Sequence, residues 1–318
     1  MDKTCIGVDT SCYTTSIACV CKEGIVFEQR TMLSVPLGNR GLRQSDAVFQ
    51  HVRNLPALVD SLFAQIDRDR VASVAVSATP TAQEDSYMPV FLAGKSVATA
   101  ISGALQVPLI ETTHQAGHVR AALLGNEMLL ERQCFLALHV SGGTTDVLLV
   151  HTKENRIDGI DPIGCSDDLH AGQFVDRIGV RLGLAFPCGP HLEELAIQAQ
   201  QKDLRLPSTV RGMHCSLSGQ ETQAIRLLEQ GQEAAEVAYA VYECLARTIG
   251  KLLDHAVETY GEMPVLFSGG VSGSLLLRKL LNNRTKRVIH FAGRGLSSDN
   301  AVGAALLALD QVEQNENA

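Results

Sequence analysis

Tryptophan is absent from this chain of 318 residues, and aromatic residues of all kinds make up only 4%. Stacking platforms for unpaired bases are therefore scarce. Positive charge is also short: 27 Lys plus Arg stand against 35 Asp plus Glu, a net charge of -8. No broad basic surface can hold nucleic acid unaided. An RNA would have to meet a local patch, such as the strip Arg278, Lys279, Arg284, Lys286 and Arg287, or be presented by a partner. No apolar run reaches the ~18 residues of a membrane span. The start, Met1-Asp2-Lys3-Thr4, leads straight into a strand-like run rather than a signal peptide. The nine cysteines are dispersed without a Cys-x-x-Cys pair. That spacing argues against structural zinc held by cysteines and for reduced thiols in the cytoplasm.

What remains is an ordinary globular composition, 45% hydrophobic and 19% charged, with a clear alternation of elements. Cys5–Val8 and Ser16–Cys21 read as strands around a polar hairpin, and Gly24–Phe27 follows a turn. Val52, Leu55, Leu58, Val59, Leu62 and Ile66 recur at helical spacing. Val71–Val76 reads as a buried strand, Ala93–Leu105 as a helix and Val107–Ile110 as a strand. Then the opening repeats, with strand Phe135–Val140, a Gly/Ser/Thr turn, and strand Val147–His151. Helical stretches follow at Gly172–Leu184, His191–Gln201 and Ala234–Thr259. Strand Pro264–Phe267 runs through a glycine loop into a helix from Leu275, and a last helix spans Asn300–Leu309 before a polar tail expected to fray. The pattern predicts an α/β fold with two mixed sheets, an internal duplication, and a ligand cleft between the halves. Residues 1–120 form the first lobe and 121–318 the second, with the last helix packing back toward the first.

Three groups of residues carry chemistry. Ser141-Gly142-Gly143-Thr144-Thr145 and Ser268-Gly269-Gly270-Val271 each follow a strand, where glycines let backbone N–H groups approach an anionic oxygen. Each alone reads more readily as a tight turn; together they suit the two ends of a nucleotide. Ala93-Gly94-Lys95-Ser96 is no Walker loop, because Pro89 stands where its first glycine belongs. His114-Gln115-Ala116-Gly117-His118 places two imidazoles one helical turn apart, able to meet one metal ion. Gln115 denies the pair the glutamate base of a zinc peptidase. Asp299 is a candidate oxygen ligand from afar, or simply a helix cap. Asp176 can accept ribose hydroxyls or sit on a solvated helix face, and Pro187-Cys188-Gly189-Pro190 is a rigid turn able to line a base.

Together with Gly7–Cys12, His51–Pro56, Leu182-Gly183-Leu184 and Ser216–Gly219, these motifs resemble, end to end, the TsaD/Gcp/YgjD family of tRNA threonylcarbamoyladenosine synthesis proteins. The resemblance implies a duplicated actin/hexokinase-like (ASKHA) fold. It further implies transfer of a threonylcarbamoyl group from an adenylate donor to an adenosine of tRNA. It assigns one divalent metal, iron or else zinc, to His114, His118 and Asp299. An adenine nucleotide or adenylate falls to Asp9, Thr10, Val140, Ser141, Gly142, Gly143, Asp176, Gly189, Gly270 and Ser274, with no side chain assigned to catalysis. Partners implied are a smaller fold-related protein, an ATPase and a donor-making synthase, which would present the tRNA.

The chain departs from the family pattern where an Asp-Glu pair is Tyr13-Thr14. Other departures are Thr79-Pro80-Thr81, Thr144, Gln173, Glu221 in place of a lysine, and Ser274 in place of an asparagine. Two functions follow: an active transferase, or a catalytically silent paralogue that binds nucleotide or metal and serves as a partner. An actin-like kinase is a third reading, short of carboxylates for Mg²⁺ beyond Asp9.

Overall fold

The computed structural model describes residues 3–317; the Met1-Asp2 start of the N-terminal run and Ala318 lie outside the described residues. The chain forms two compact units. The first takes residues up to Ser34, Leu42–Gly125 and the chain from Ser298 on; the second takes Val35–Gly41 and Asn126–Ser297.

In the first unit, strands β1 (Thr4–Ser11), β2 (Thr14–Cys21), β3 (Gly24–Met32), β4 (Val71–Thr79) and β5 (Leu109–Thr113) form a sheet ordered β3-β2-β1-β4-β5. The first three are antiparallel, while β4 and β5 add in parallel. All of β1 is buried, because helices cover both faces. Ile6 and Val8 point to one face, where α1 (Gln44–Phe63) and α2 (Phe91–Leu105) supply Leu55, Leu58, Leu62, Ala98 and Ile101. The alternate residues face the last helix, α9 (Val302–Asn317). Side chains alternate along a strand, so neighbours in sequence serve opposite layers.

The approach of α9 is unusually close. A Cβ on Gly7 would lie 2.3 Å from Ala301 O. On the same side, α3 (His114–Ala122) meets α9 backbone to backbone: a Cβ on Gly303 would sit 1.8 Å from Gly117 O. The polar residues after Leu309 continue this helix to Asn317 instead of fraying. Arg120 of α3 helps, pairing with Asp310 through two bonds of 2.7 and 2.9 Å.

In the second unit, β6 (Cys134–Val140), β7 (Thr145–Lys153), β8 (Arg156–Cys165), β11 (Val265–Ser268) and β12 (Ile289–Phe291) are ordered β12-β11-β6-β7-β8. Written from β8, this is the connectivity of the first sheet: an antiparallel three-stranded meander, then two parallel strands. The expected duplication is thus visible strand by strand. Helices α4 (Ala171–Arg181), α5 (Gly189–Ile197), α6 (Ser218–Glu229), α7 (Ala234–Tyr260) and α8 (Leu275–Asn282) accompany the sheet. Its core runs from Leu136 and Leu138 through Phe174 to Tyr242 and Phe267. A small hairpin, β9 (Thr209–Arg211) and β10 (His214–Ser216), forms a separate two-stranded sheet bridged to the chain after β8 through Ser166 and Cys215. Among the described residues no helix is long and apolar enough to cross a membrane.

Alanine at Gly303 would gain about 1 kcal/mol of helix propensity. Overpacking against the Gly117 carbonyl should outweigh it, for a net loss of roughly 1–3 kcal/mol. Denaturant unfolding of Gly303→Ala checks this; a midpoint equal to or above the parent's would mean that α3 and α9 can separate freely.

Candidate metal centre and nucleotide loops

Thr113 opens α3: its hydroxyl accepts the Ala116 N–H at 3.0 Å. That bond satisfies one of the amides left without a partner in the first turn of a helix. His114 and His118 then lie one turn apart on one face, with ring centroids separated by 4.4 Å. Their Nε2 atoms are 3.1 Å apart. Asp299 comes from the segment just before α9, with Oδ1 at 3.3 Å from His118 Nε2 and 3.5 Å from His114 Nε2. Asp299 is not the helix cap. The amides at the start of α9 are met instead by Asn300, whose Oδ1 accepts the Val302 N–H at 3.1 Å, and by Ser16, whose Oγ accepts the Ala301 N–H at 2.8 Å.

Asp9 reaches the same group. Its Oδ2 lies 2.7 Å from His114 Nδ1, fixing the ring from behind. Thr10, one residue on, faces the opposite layer: its hydroxyl donates to Val90 O at 2.9 Å and accepts from Gly94 N–H at 3.0 Å. The alternation of β1 therefore separates two residues expected at one ligand. Gly94 itself lies within α2, as its failed Walker spacing foretold.

The electrostatics of the group are tightly opposed. Burial works against a charged His114, but the Asp9 carboxylate and then Asp299 outweigh it and raise its pKa to about 10. Burial and the neighbouring His114 charge lower His118. For Asp9 and Asp299 burial alone would raise the pKa; the imidazoles overcome it, lowering Asp9 and holding Asp299 well below the carboxylate range. Four ionisable groups thus concentrate charge around a point where three donor atoms converge. Ligands at ~2.1 Å from one ion stand roughly 3.0–3.5 Å from each other, so the three donors fit a metal. The Asp9 bond to the outer nitrogen of His114 is the support that metal-binding imidazoles usually have.

One supporting residue escaped the sequence reading. Arg30, on β3, donates to Ser298 Oγ at 2.8 Å and to the Asp299 carbonyl at 3.3 Å, holding the segment that carries the carboxylate. Nothing local signals this across a separation of 268 residues. The hairpin turn at Cys12-Tyr13 carries no carboxylate, and Thr14 is already a buried residue of β2.

The remaining expected nucleotide residues lie in the second unit. Val140 ends β6 and is buried. In the loop beyond it the Ser141 hydroxyl accepts the N–H groups of Gly143 and Thr144, both at 3.1 Å. The loop is thereby folded on its own serine. It rests against α4, where a Cβ on Gly172 would lie 2.6 Å from Gly142 N. Gln173 retains part of what a glutamate would do there, its Oε1 accepting the His170 N–H at 3.4 Å. Asp168 Oδ1 accepts the Leu217 N–H at 2.7 Å and pins the start of α6.

Asp176 and the turn at Gly189 are joined, since Asp176 Oδ1 accepts the Cys188 N–H at 2.8 Å and Tyr242 donates to Gly189 O at 2.8 Å. Burial raises the Asp176 pKa to about 6, against the lowering effect of the Cys188 bond. Gly270 begins a short 3-10 turn, Gly270–Gly273. Ser274 accepts the Leu277 N–H at 3.1 Å, so its oxygen caps α8. The carboxylate of Glu221, the residue expected from the resemblance to be lysine, is met by Arg177 at 3.0 Å. The negative charge of Glu221 is therefore balanced within the unit.

The basic strip is largely engaged. Arg278 donates to the carbonyls of Ser272 and Ala292, Arg284 binds Glu243, and Arg287 binds Asp254.

Comparison with known proteins places these features in a family. The model of the tRNA N6-adenosine threonylcarbamoyltransferase family matches residues 34–306. A tRNA N6-adenosine threonylcarbamoyltransferase of Thermus thermophilus is 30% identical, covering 95% of this chain and 91% of its own. A probable bifunctional tRNA threonylcarbamoyladenosine biosynthesis protein of Methanocaldococcus jannaschii is 26% identical over 87% of this chain; the chain spans about half (49%) of that relative's length. Among solved structures, a ROK family glucokinase from Streptomyces griseus covers 96% of this chain and 98% of its own, with a TM-score of 0.53 at 14% identity. That likeness bears on the fold alone, which is of the ASKHA type.

Replacing Asp9 with Asn should weaken divalent-metal binding roughly 10- to 100-fold. Calorimetric titration checks it, and an unchanged affinity would show that His114 needs no support from behind. Asp176 gives a pH-dependent prediction. Its folded pKa of about 6 stands above the ordinary 3.8, so folding favours the protonated carboxyl. Stability is therefore lost as pH rises between those two values and stays lost above them. Asp176→Asn should gain of order 1–3 kcal/mol at about pH 8, a gain that disappears near about pH 4. Urea unfolding at the two pH values decides; an equal difference between variant and parent at both would mean that the carboxyl is well solvated.

Proposed function

Because the chain belongs to the tRNA N6-adenosine threonylcarbamoyltransferase family, we propose that it transfers a threonylcarbamoyl group from an adenylate donor to an adenosine of tRNA. The observation that carries this reading is the convergence of His114, His118 and Asp299 from distant parts of the chain, with Asp9 behind them. A silent paralogue would have little use for so costly a concentration of buried charge. Two imidazoles and one carboxylate with open positions suit iron(II) better than a closed structural zinc site. When bound, such an ion supplies a Lewis acid for a carbonyl or phosphate oxygen.

The chain's own residues do the rest. Asp9 orients His114 through Nδ1, and Arg30 steadies the Asp299 segment. The Ser141 loop and the Gly270 turn would receive the phosphate end of an adenine nucleotide. Asp176 would accept ribose hydroxyls, and the Gly189 turn would flank the base. Because the arginines of the basic strip are engaged and the net charge is -8, tRNA would be presented by partner proteins. A smaller fold-related protein and an ATPase are the proposed company.

The test is transfer of labelled threonine into tRNA in the presence of bicarbonate, ATP, a donor-making synthase and the partner proteins. Label should enter tRNA with this protein, and His118→Ala should reduce the rate by roughly two orders of magnitude or more. No label, with the Thermus relative active under the same conditions, would overturn the reading.

A further inference from the structure

Away from these residues, the second unit brings a thiol, an imidazole and a carboxylate together. Cys165 ends β8, Asp167 follows two residues later, and His214 opens β10. Their donor atoms all lie within 4.8 Å of one another. His214 Nδ1 is 3.6 Å from Cys165 Sγ and 3.0 Å from Asp167 Oδ1.

The backbone explains the meeting. Ser166 and Cys215 form a parallel bridge, and the Asp167 N–H donates to Cys215 O at 2.8 Å. Extended chain alternates its side chains, so Cys165 and Asp167 share one side, and His214, preceding the bridge, shares it with them. The hairpin comes this near because residue 164 is glycine: a Cβ there would sit 2.0 Å from Met213 O. An ion with sulfur at ~2.3 Å and nitrogen at ~2.0 Å in tetrahedral geometry holds those donors roughly 3.5 Å apart. The Cys165–His214 separation fits that spacing. Asp146, the ladder partner of Cys165 on β7, adds negative charge to the patch. Cys165 is half-buried while Asp167 and His214 are exposed, so solvent can reach a fourth position.

We propose that Cys165, Asp167 and His214 form a second divalent-cation site, suited to a borderline ion such as Zn²⁺ with water as the fourth ligand. Binding replaces the thiol proton, which leaves to solvent, and ties the β9–β10 hairpin to the end of β8. The site differs from the His114 group in its unit and in having a thiolate, and it does not depend on the transferase reading. A mixed set of this kind is invisible to a search for paired cysteines, because its halves lie 49 residues apart.

Cobalt(II) titration of the full chain tests the proposal, because a thiolate ligand produces charge-transfer absorption in the near ultraviolet. The absorption should rise to saturation in the parent protein, persist in His114→Ala and be displaced by Zn²⁺. It should vanish in Cys165→Ser, and cobalt affinity should fall about tenfold or more in His214→Gln. The unfolding midpoint of each variant serves as the control for folding. No thiolate band in the parent protein, or a band retained in Cys165→Ser, would overturn the assignment.

Discussion

Asp299 meets His114 and His118 only because the last helix lies directly on β1 and α3. That contact is between backbones. Gly7 leaves room for the start of α9, and Gly117 and Gly303 let two helices touch without side chains between them. The segment before α9 is then fixed by Ser16, Asn300 and Arg30, and its carboxylate is left to point at the two imidazoles. Any change that lifts α9 by the width of a methyl group moves the Asp299 carboxylate away from the two imidazoles, and so couples stability of the first unit to the geometry of this group.

Around that contact the strand period sorts the polar residues. Asp9 falls on the α9 side of β1 and supports His114; Thr10 falls on the other and locks β1 to α2. The second unit uses the equivalent strand, β6, to present the Ser141 loop, and α4 to carry Asp176 and Arg177. There the unusual residues have partners of their own. Arg177 meets Glu221, Gln173 takes up a capping bond, and Ser274 caps a helix. The polar side chains at these three positions of the second unit are thus held by local partners.

Much of this was legible in the sequence. The duplication, the i,i+4 histidines and the helical nature of the Gly94 segment follow from periodicity and spacing alone. What escaped has physical reasons. Strand β8 contains Gly159 and Pro162 and pairs through two irregularities, so its alternation is broken. An edge strand tolerates such breaks. The polar tail after Leu309 is helical because tertiary contacts, including Arg120–Asp310, override composition. The roles of Arg30 and of His214 depend on partners far away in the chain, which no local pattern records. The separation of Asp9 from Thr10 needed only the strand period, once β1 was known to be covered on both faces.

The most direct measurement is nucleoside analysis of tRNA from cells whose own family member has been depleted and replaced by this chain. Mass spectrometry should find threonylcarbamoyladenosine restored by the parent chain and missing with His114→Ala. Folded, expressed parent protein that leaves adenosine unmodified would contradict the account, and would mean that the His114, His118 and Asp299 group serves another reaction.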